Sequence, residues 1–243
     1  MTRRMARSGS ATAVVLAAAI AAGPAADAAD QAPIAATANG NAVAGGLSFA
    51  PASITGRVGQ QVTWKDTDVI APHTVTEDHG LFDLVGNNVN GTPISASGFG
   101  PGTSVALTLS AGTTSYFCRV HPGQMKGVLA VPVTLTLGPA LAPAAHPAKT
   151  ALGRRRRAAR RRAFQRALTL TWATQAPAAG QVFDVELRRG TGPWTSVAAA
   201  STQTSLVVRA GRRGTVTGVR ARLRRGDDPT RATGWSPVAE VTG

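Results

Sequence analysis

Tyr116-Phe117-Cys118-Arg119-Val120-His121-Pro122-Gly123-Gln124-Met125-Lys126-Gly127-Val128 reads as a strand, a turn and the start of a second strand. Thr114 to Cys118 is β-prone, Arg119 to Gln124 carries the Pro-Gly pair of a turn, and Gly127 to Val131 resumes an extended pattern. Cys118 is the only cysteine of the chain, and Met125 is the only methionine beyond residue 5. His121 stands between them. Pro72-His73-Thr74-Val75, with its histidine 45 residues before Cys118, opens another short β-branched run.

The same pattern extends outward. Leu47-Ser48-Phe49-Ala50-Pro51, Gln61-Val62-Thr63-Trp64, His73 to Thr76 and Val105 to Leu109 are short alternating or β-branched runs, punctuated by Gly, Pro, Asn and Asp. Hydrophobic residues make up 43% of the 243, enough for real cores, while 27 Gly and 15 Pro favour strands and turns over helices. The expected fold class is all-β, with two sandwiches. Residues 1–28 are expected to be a signal peptide, 29–42 a flexible lead-in, 43–137 the first sandwich, 138–166 a Pro/Ala and Arg-rich linker, and 167–243 the second sandwich.

Thiolate, imidazole and thioether together form a distinctive donor set. Two imidazoles and one thiolate make the trigonal plane of a type 1 (blue) copper centre, with a long axial thioether that tunes the potential. Cu(I) prefers sulfur and Cu(II) nitrogen, so a mixed set held on rigid strands is a compromise between them. Zinc also suits His and Cys, but copper binds more tightly in the Irving–Williams order. A lone cysteine closes no intramolecular disulfide. Of the other two histidines, His79 reads as an exposed turn residue and His146 as a solvated linker residue. Four histidines leave no room for the further copper centres of a multicopper enzyme, so no catalytic residues are expected.

Residues 43–137 resemble a cupredoxin of the plastocyanin, pseudoazurin and amicyanin group. The resemblance is carried by Phe49-Ala50-Pro51, Gly59-Gln60-Gln61-Val62-Thr63-Trp64, Pro72-His73-Thr74-Val75, Tyr116-Phe117-Cys118 and His121 to Gly127, in the family's order. It implies a Greek-key β-sandwich holding one copper on His73, Cys118, His121 and Met125, and a one-electron carrier as the function. It also implies that the Thr74 backbone bonds the thiolate, and that a redox protein docks near His121 on an apolar patch such as Val69-Ile70-Ala71-Pro72 and Pro122-Gly123. The ligand loop here is Cys-x2-His-x3-Met, a length that puts the potential rather than the metal in question.

Residues 167–243 resemble a fibronectin type III module, an immunoglobulin-like sandwich. Trp172, Phe183 to Arg188, Gly192-Pro193-Trp194, Val219 to Arg222 and Gly234-Trp235-Ser236-Pro237 carry the likeness. Thr217 stands where the family has a tyrosine, and the first strand is expected from the Arg-rich segment. Its Trp and Arg side chains are expected to form a stacked ladder. Arg225-Gly226-Asp227 falls before the last strand and reads as a chance tripeptide.

The net charge of +14 is unevenly spread. Residues 30–137 carry four bases against six acids, whereas the tract Arg154 to Arg166 holds eight arginines in thirteen residues. Such a block is commonly a solvated spacer or a contact for an anionic envelope polymer. No nucleic-acid partner is expected of an exported chain. Arg3-Arg4 and Arg7, the apolar run Ala11 to Ala22 and Ala26-Asp27-Ala28 form an export signal whose apolar run has 12 residues, below the ~20 that span a bilayer. The expected location is secreted, periplasmic or at the cell envelope. Copper storage or delivery in the envelope, and surface adhesion or scaffolding with a structural copper, are the alternative functions.

Overall fold

The computed structural model describes residues 31–40, 46–85, 98–140, 166–211 and 214–243. The expected signal peptide, His146 and the arginine tract up to residue 165 lie outside the described residues. All sixteen described elements are β-strands.

Two sheets form the first sandwich. One runs β2 (Ser48–Ala50), β1 (Ile34–Asn39), β4 (Gln61–Asp66), β7 (Ser104–Thr108); the other runs β3 (Ser53–Thr55), β9 (Lys126–Val131), β8 (Gly112–Phe117), β5 (Val75–Glu77), β6 (Asp83–Leu84). Along β4 the side chains of Val62, Trp64 and Asp66 are buried while Gln61 and Lys65 are exposed, the period of two that a half-buried strand requires. The sheets meet through aromatic rings: Phe49 and Trp64 of one sheet approach Tyr116 of the other at 4.9 and 5.5 Å. Full burial of such rings stabilises by roughly 1.5–3 kcal/mol each. Gly127 is needed here, because a Cβ on it would overlap the Tyr116 ring.

Ile34–Asn39 is not the flexible lead-in expected from its composition. It is an inner strand, antiparallel to β2 and parallel to β4. Its core-facing residues are Ala36 and Ala38, at 3% and 0% exposure. Small side chains fit that crowded position but leave no large-hydrophobic alternation to read.

β10 (Thr134–Ala140) corrects the expected boundary at 137/138, which falls inside it. It pairs with β11 (Arg166–Thr171), and β11 with β14 (Ser205–Arg209). Among the described residues the first strand of the second unit therefore comes from this segment rather than the Arg-rich one, whose Arg166 opens β11. Leu135 and Leu137 lie opposite Leu170 and Leu168, so two Thr-Leu repeats pair in phase.

The facing sheet runs β13 (Thr195–Ser201), β12 (Gln181–Arg189), β15 (Val216–Arg225), β16 (Ala239–Thr242). Trp172 and Phe183 pack across the interior with ring centroids 6.5 Å apart. On the outer face the expected ladder is present: Trp194 lies between Arg188 and Arg220, and Trp235 between Arg220 and Arg222, at 4.3–4.8 Å, within cation–π range. Arg225 is bonded to Asp227, so the charged ends of that tripeptide face each other.

The two sandwiches share a boundary of direct hydrogen bonds. The Ala111 amide donates to Trp172 O at 2.7 Å and Thr113 N to Gly234 O at 3.1 Å. The buried Gln181 donates to Leu81 O at 2.6 Å, and Arg231 to His79 O at 2.9 Å. Both acceptors belong to the loop after β5, which is braced by Glu77. That carboxylate, 1% exposed, accepts the amides of His79 and Leu81 and the Thr114 hydroxyl at 2.7–3.0 Å.

Candidate metal centre

Cys118 follows the last residue of β8, and the turn it enters is closed on itself. Its amide donates to Met125 O, while its carbonyl accepts the His121 amide; both bonds are 3.1 Å. The amides of Gln124 and Met125 in turn donate to His121 O at 3.2 and 3.1 Å. His121 is thus fixed from both sides within a six-residue turn. His73 comes from the segment leading into β5, held by a reciprocal pair of backbone bonds with Phe99 at 2.9 and 2.8 Å. Gly98, at φ +115°, permits that pairing, since a Cβ there would overlap the His73 carbonyl.

The turn brings the three strongest donors together. Cys118 Sγ is 3.8 Å from Nδ1 of His73 and 3.8 Å from Nδ1 of His121, and all three ligand atoms lie within 4.8 Å of one another. His73 and Cys118 are fully buried, and His121 is partly exposed. Met125 is fully buried and tied by its backbone to both Cys118 and His121. The Thr74 amide lies 3.4 Å from Cys118 Sγ, the contact the family resemblance implies. His79, as read from the sequence, is an exposed turn residue, and its ring bonds Glu77 at 3.1 Å.

Behind His73 are two acids that sequence reasoning did not single out. Asp68 Oδ2 is 3.5 Å and Asp66 Oδ1 3.8 Å from His73 Nε2, with all three side chains buried. Those separations exceed a good N–H···O bond, so the attraction is electrostatic. Burial pushes the Asp66 carboxyl up to about 6, with repulsion from Asp68 adding to it and the bond from the Asp68 amide opposing it. For Asp68 burial also opposes charge, but the amides of Ile70 and Val69, and attraction from His73, outweigh it and hold the pKa below the ordinary value. Asp68 is therefore the more readily ionised of the two. Burial, then repulsion from His121, hold the His73 pKa down against Asp68, which keeps the imidazole neutral. With Nε2 turned to the carboxylates, the proton belongs there and the Nδ1 lone pair faces Cys118 Sγ.

Sequence comparison gives this arrangement a family. The profile "Copper binding proteins, plastocyanin/azurin family" matches residues 36–132. Plastocyanin of Scenedesmus fuscus is 35% identical over 91 residues, which cover 36% of this chain and 89% of that protein. The chain belongs to the plastocyanin/azurin family of copper-binding proteins. Plastocyanin A/B of Petroselinum crispum matches similarly, 35% identical over 36% of this chain and 90% of that protein. Among solved structures, a purple cupredoxin from Nitrosopumilus maritimus aligns at 25% identity and a TM-score of 0.29, covering 40% of this chain and 98% of its own.

The donor geometry fits the copper of this family. Donors about 2.0–2.3 Å from one metal and about 120° apart are ~3.7 Å from each other, close to the two 3.8 Å separations found. His73, Cys118 and His121 thus form a metal site suited to one type 1 copper. Asp66 and Asp68, which lie behind His73, are of a common residue type. The one available signal was Asp66-Thr67-Asp68 shortly before His73.

Proposed function

We propose that this protein is an exported one-electron carrier holding a single type 1 copper on His73, Cys118, His121 and Met125. The convergence of both Nδ1 atoms on Cys118 Sγ at 3.8 Å carries the reading. Copper bound there would supply a one-electron couple between Cu(II) and Cu(I). The chain's own residues supply the rest. Burial keeps His73 neutral and Asp68 aims it, Thr74 presents an N–H to Cys118 Sγ, and the closed turn from Cys118 to Met125 limits rearrangement between oxidation states. Met125, buried and hydrogen-bonded through its backbone to Cys118, would supply a thioether as the fourth donor.

Electrons would pass at His121, the partly exposed ligand. Val69 and Ile70 are 83% and 70% exposed, and Val120 is 41% exposed; with Pro122, each a few residues from a ligand in the chain, they are read as an apolar rim. Small, weakly held interfaces suit rapid exchange. Residues 1–28 are read as the export signal, and the described residues contain no helix long and apolar enough to cross a membrane. The second unit is read as a fibronectin type III-like module. Its sheets, β10-β11-β14 and β13-β12-β15-β16, support that reading. The arginine tract is assigned to anionic envelope polymers, a contact that salt would weaken.

Stopped-flow exchange with a small redox protein tests the carrier role. Placing a charge at Pro122, or His121→Ala, is expected to slow exchange while Val238→Asp, remote in sequence, leaves it unchanged. Unaltered exchange in the Pro122 and His121 variants would exclude docking at this rim. A copper-loaded chain that exchanges slowly with every small redox partner would point to storage or scaffolding instead.

A further inference from the structure

Thr74, which aims its amide at Cys118, is itself held in a circuit of hydrogen bonds that reaches the surface. The Arg119 amide donates to Thr74 Oγ1 at 2.9 Å. Thr74 Oγ1 and Thr76 Oγ1 are 2.9 Å apart, and Thr76 Oγ1 donates to Asp83 Oδ1 at 2.7 Å. The other Asp83 oxygen meets Arg119 Nη2 at 3.0 Å. The path returns to the residue where it started.

The direction of every bond follows from Asp83. An ionised carboxylate only accepts, so Thr76 must donate to it. Thr76 then has no proton left for Thr74, and the Thr74 hydroxyl must donate to Thr76. Its oxygen is left to accept the Arg119 amide. Bonds running head to tail in this way polarise one another. The circuit joins the residue after one histidine donor to the residue after the thiolate donor, and both hydroxyls are buried. Only the Asp83–Arg119 pair meets solvent, with side chains 44% and 37% exposed.

We propose that Asp83, acting through Thr76 and Thr74 and closed by Arg119, is a positioning residue that holds the Thr74 N–H on Cys118 Sγ. It thereby helps set the electron density on the thiolate. The effect on the copper potential rests on the metal assignment above; the circuit itself does not. An exposed ion pair on the surface is ordinarily worth little. This one is tied to a buried bond beside the metal site, so removing it acts on the centre rather than on global stability.

Amide hydrogen exchange on the metal-free chain, with potentiometry on the copper-loaded chain, tests this. Asp83→Ala and Thr76→Val are expected to speed exchange of the Arg119 and Thr74 amides by about tenfold. Thr76→Ser restores wild-type exchange, and Asp83→Asn, which keeps an acceptor but not the charge, falls between. Asp83→Ala and Thr76→Val are also expected to shift the potential and the thiolate-to-copper absorption in the same direction. Exchange within about twofold of wild type in both variants overturns the circuit. Faster exchange with an unchanged potential overturns its action on the thiolate. Should the chain take up no copper, the metal assignment falls while the exchange data still decide the circuit.

Discussion

Gly40 lies against Asp68 with no room for a side chain: a Cβ on Gly40 would overlap the Asp68 carboxylate and come within 3.0 Å of His73 Nε2. The residue that follows β1 therefore forms one wall of the pocket behind a metal-site histidine. Gly40→Ala must push Asp68 or His73 aside. The expected cost is about 1–3 kcal/mol of stability, together with a smaller gain in stability on adding copper. Urea unfolding with and without Cu(II) measures both. An unchanged midpoint and an unchanged copper increment would mean the wall is not needed.

Met125→Leu preserves volume and burial but removes the thioether. Losing a weak donor disfavours Cu(II) more than Cu(I), so the variant is expected to keep its colour at a raised potential. An identical potential in spectroelectrochemistry would show that Met125 is not a ligand.

Gln181 joins the two sandwiches from a buried position, and Gln181→Ala would strip the Leu81 carbonyl of its 2.6 Å donor. The loss is expected at about 1–3 kcal/mol, read as a lower unfolding midpoint in metal-free and copper-loaded protein alike. Calorimetry is expected to separate the melting of the two units in this variant. A midpoint equal to wild type would show that this contact contributes nothing to their cohesion.

Asp184 makes the second unit acid-sensitive. Burial opposes its charge, but bonds from Arg224, the Ala200 amide and Arg222, with the Arg224 charge, outweigh that and hold its pKa below the ordinary 3.8. In the unfolded chain the group takes up a proton near its ordinary value, before the folded form does. Its contribution is thus complete above about pH 4 and is lost as pH falls further through the lower folded value. Asp184→Asn is expected to flatten the dependence of stability on pH below 4. The same slope in both proteins would contradict this.

The proposed metal donors were legible because they are rare residue types at close spacing, Cys118, His121 and Met125 falling within eight residues. What supports them was not. Ala36 and Ala38 fill a crowded inner strand with residues that look like linker, and Gly40 matters only through what it touches. Thr76, Asp83 and Arg119 are ordinary on a strand or its edge until the pairing of β5 with β6 and β8 brings them together. The second unit was visible from its alternation, yet its first strand lay inside the segment read as a domain end, because phase with β11 appears only once the pair is formed.

The sharpest check is to add one equivalent of Cu(II) to the purified full chain and to its Cys118→Ser variant, and to follow visible absorption and electron paramagnetic resonance. The wild-type chain is expected to develop an intense thiolate-to-copper band that saturates at one copper, bleaches with reductant and returns on reoxidation, while the variant stays colourless. Absence of that band in the wild type, or the same band in Cys118→Ser, would contradict the assignment.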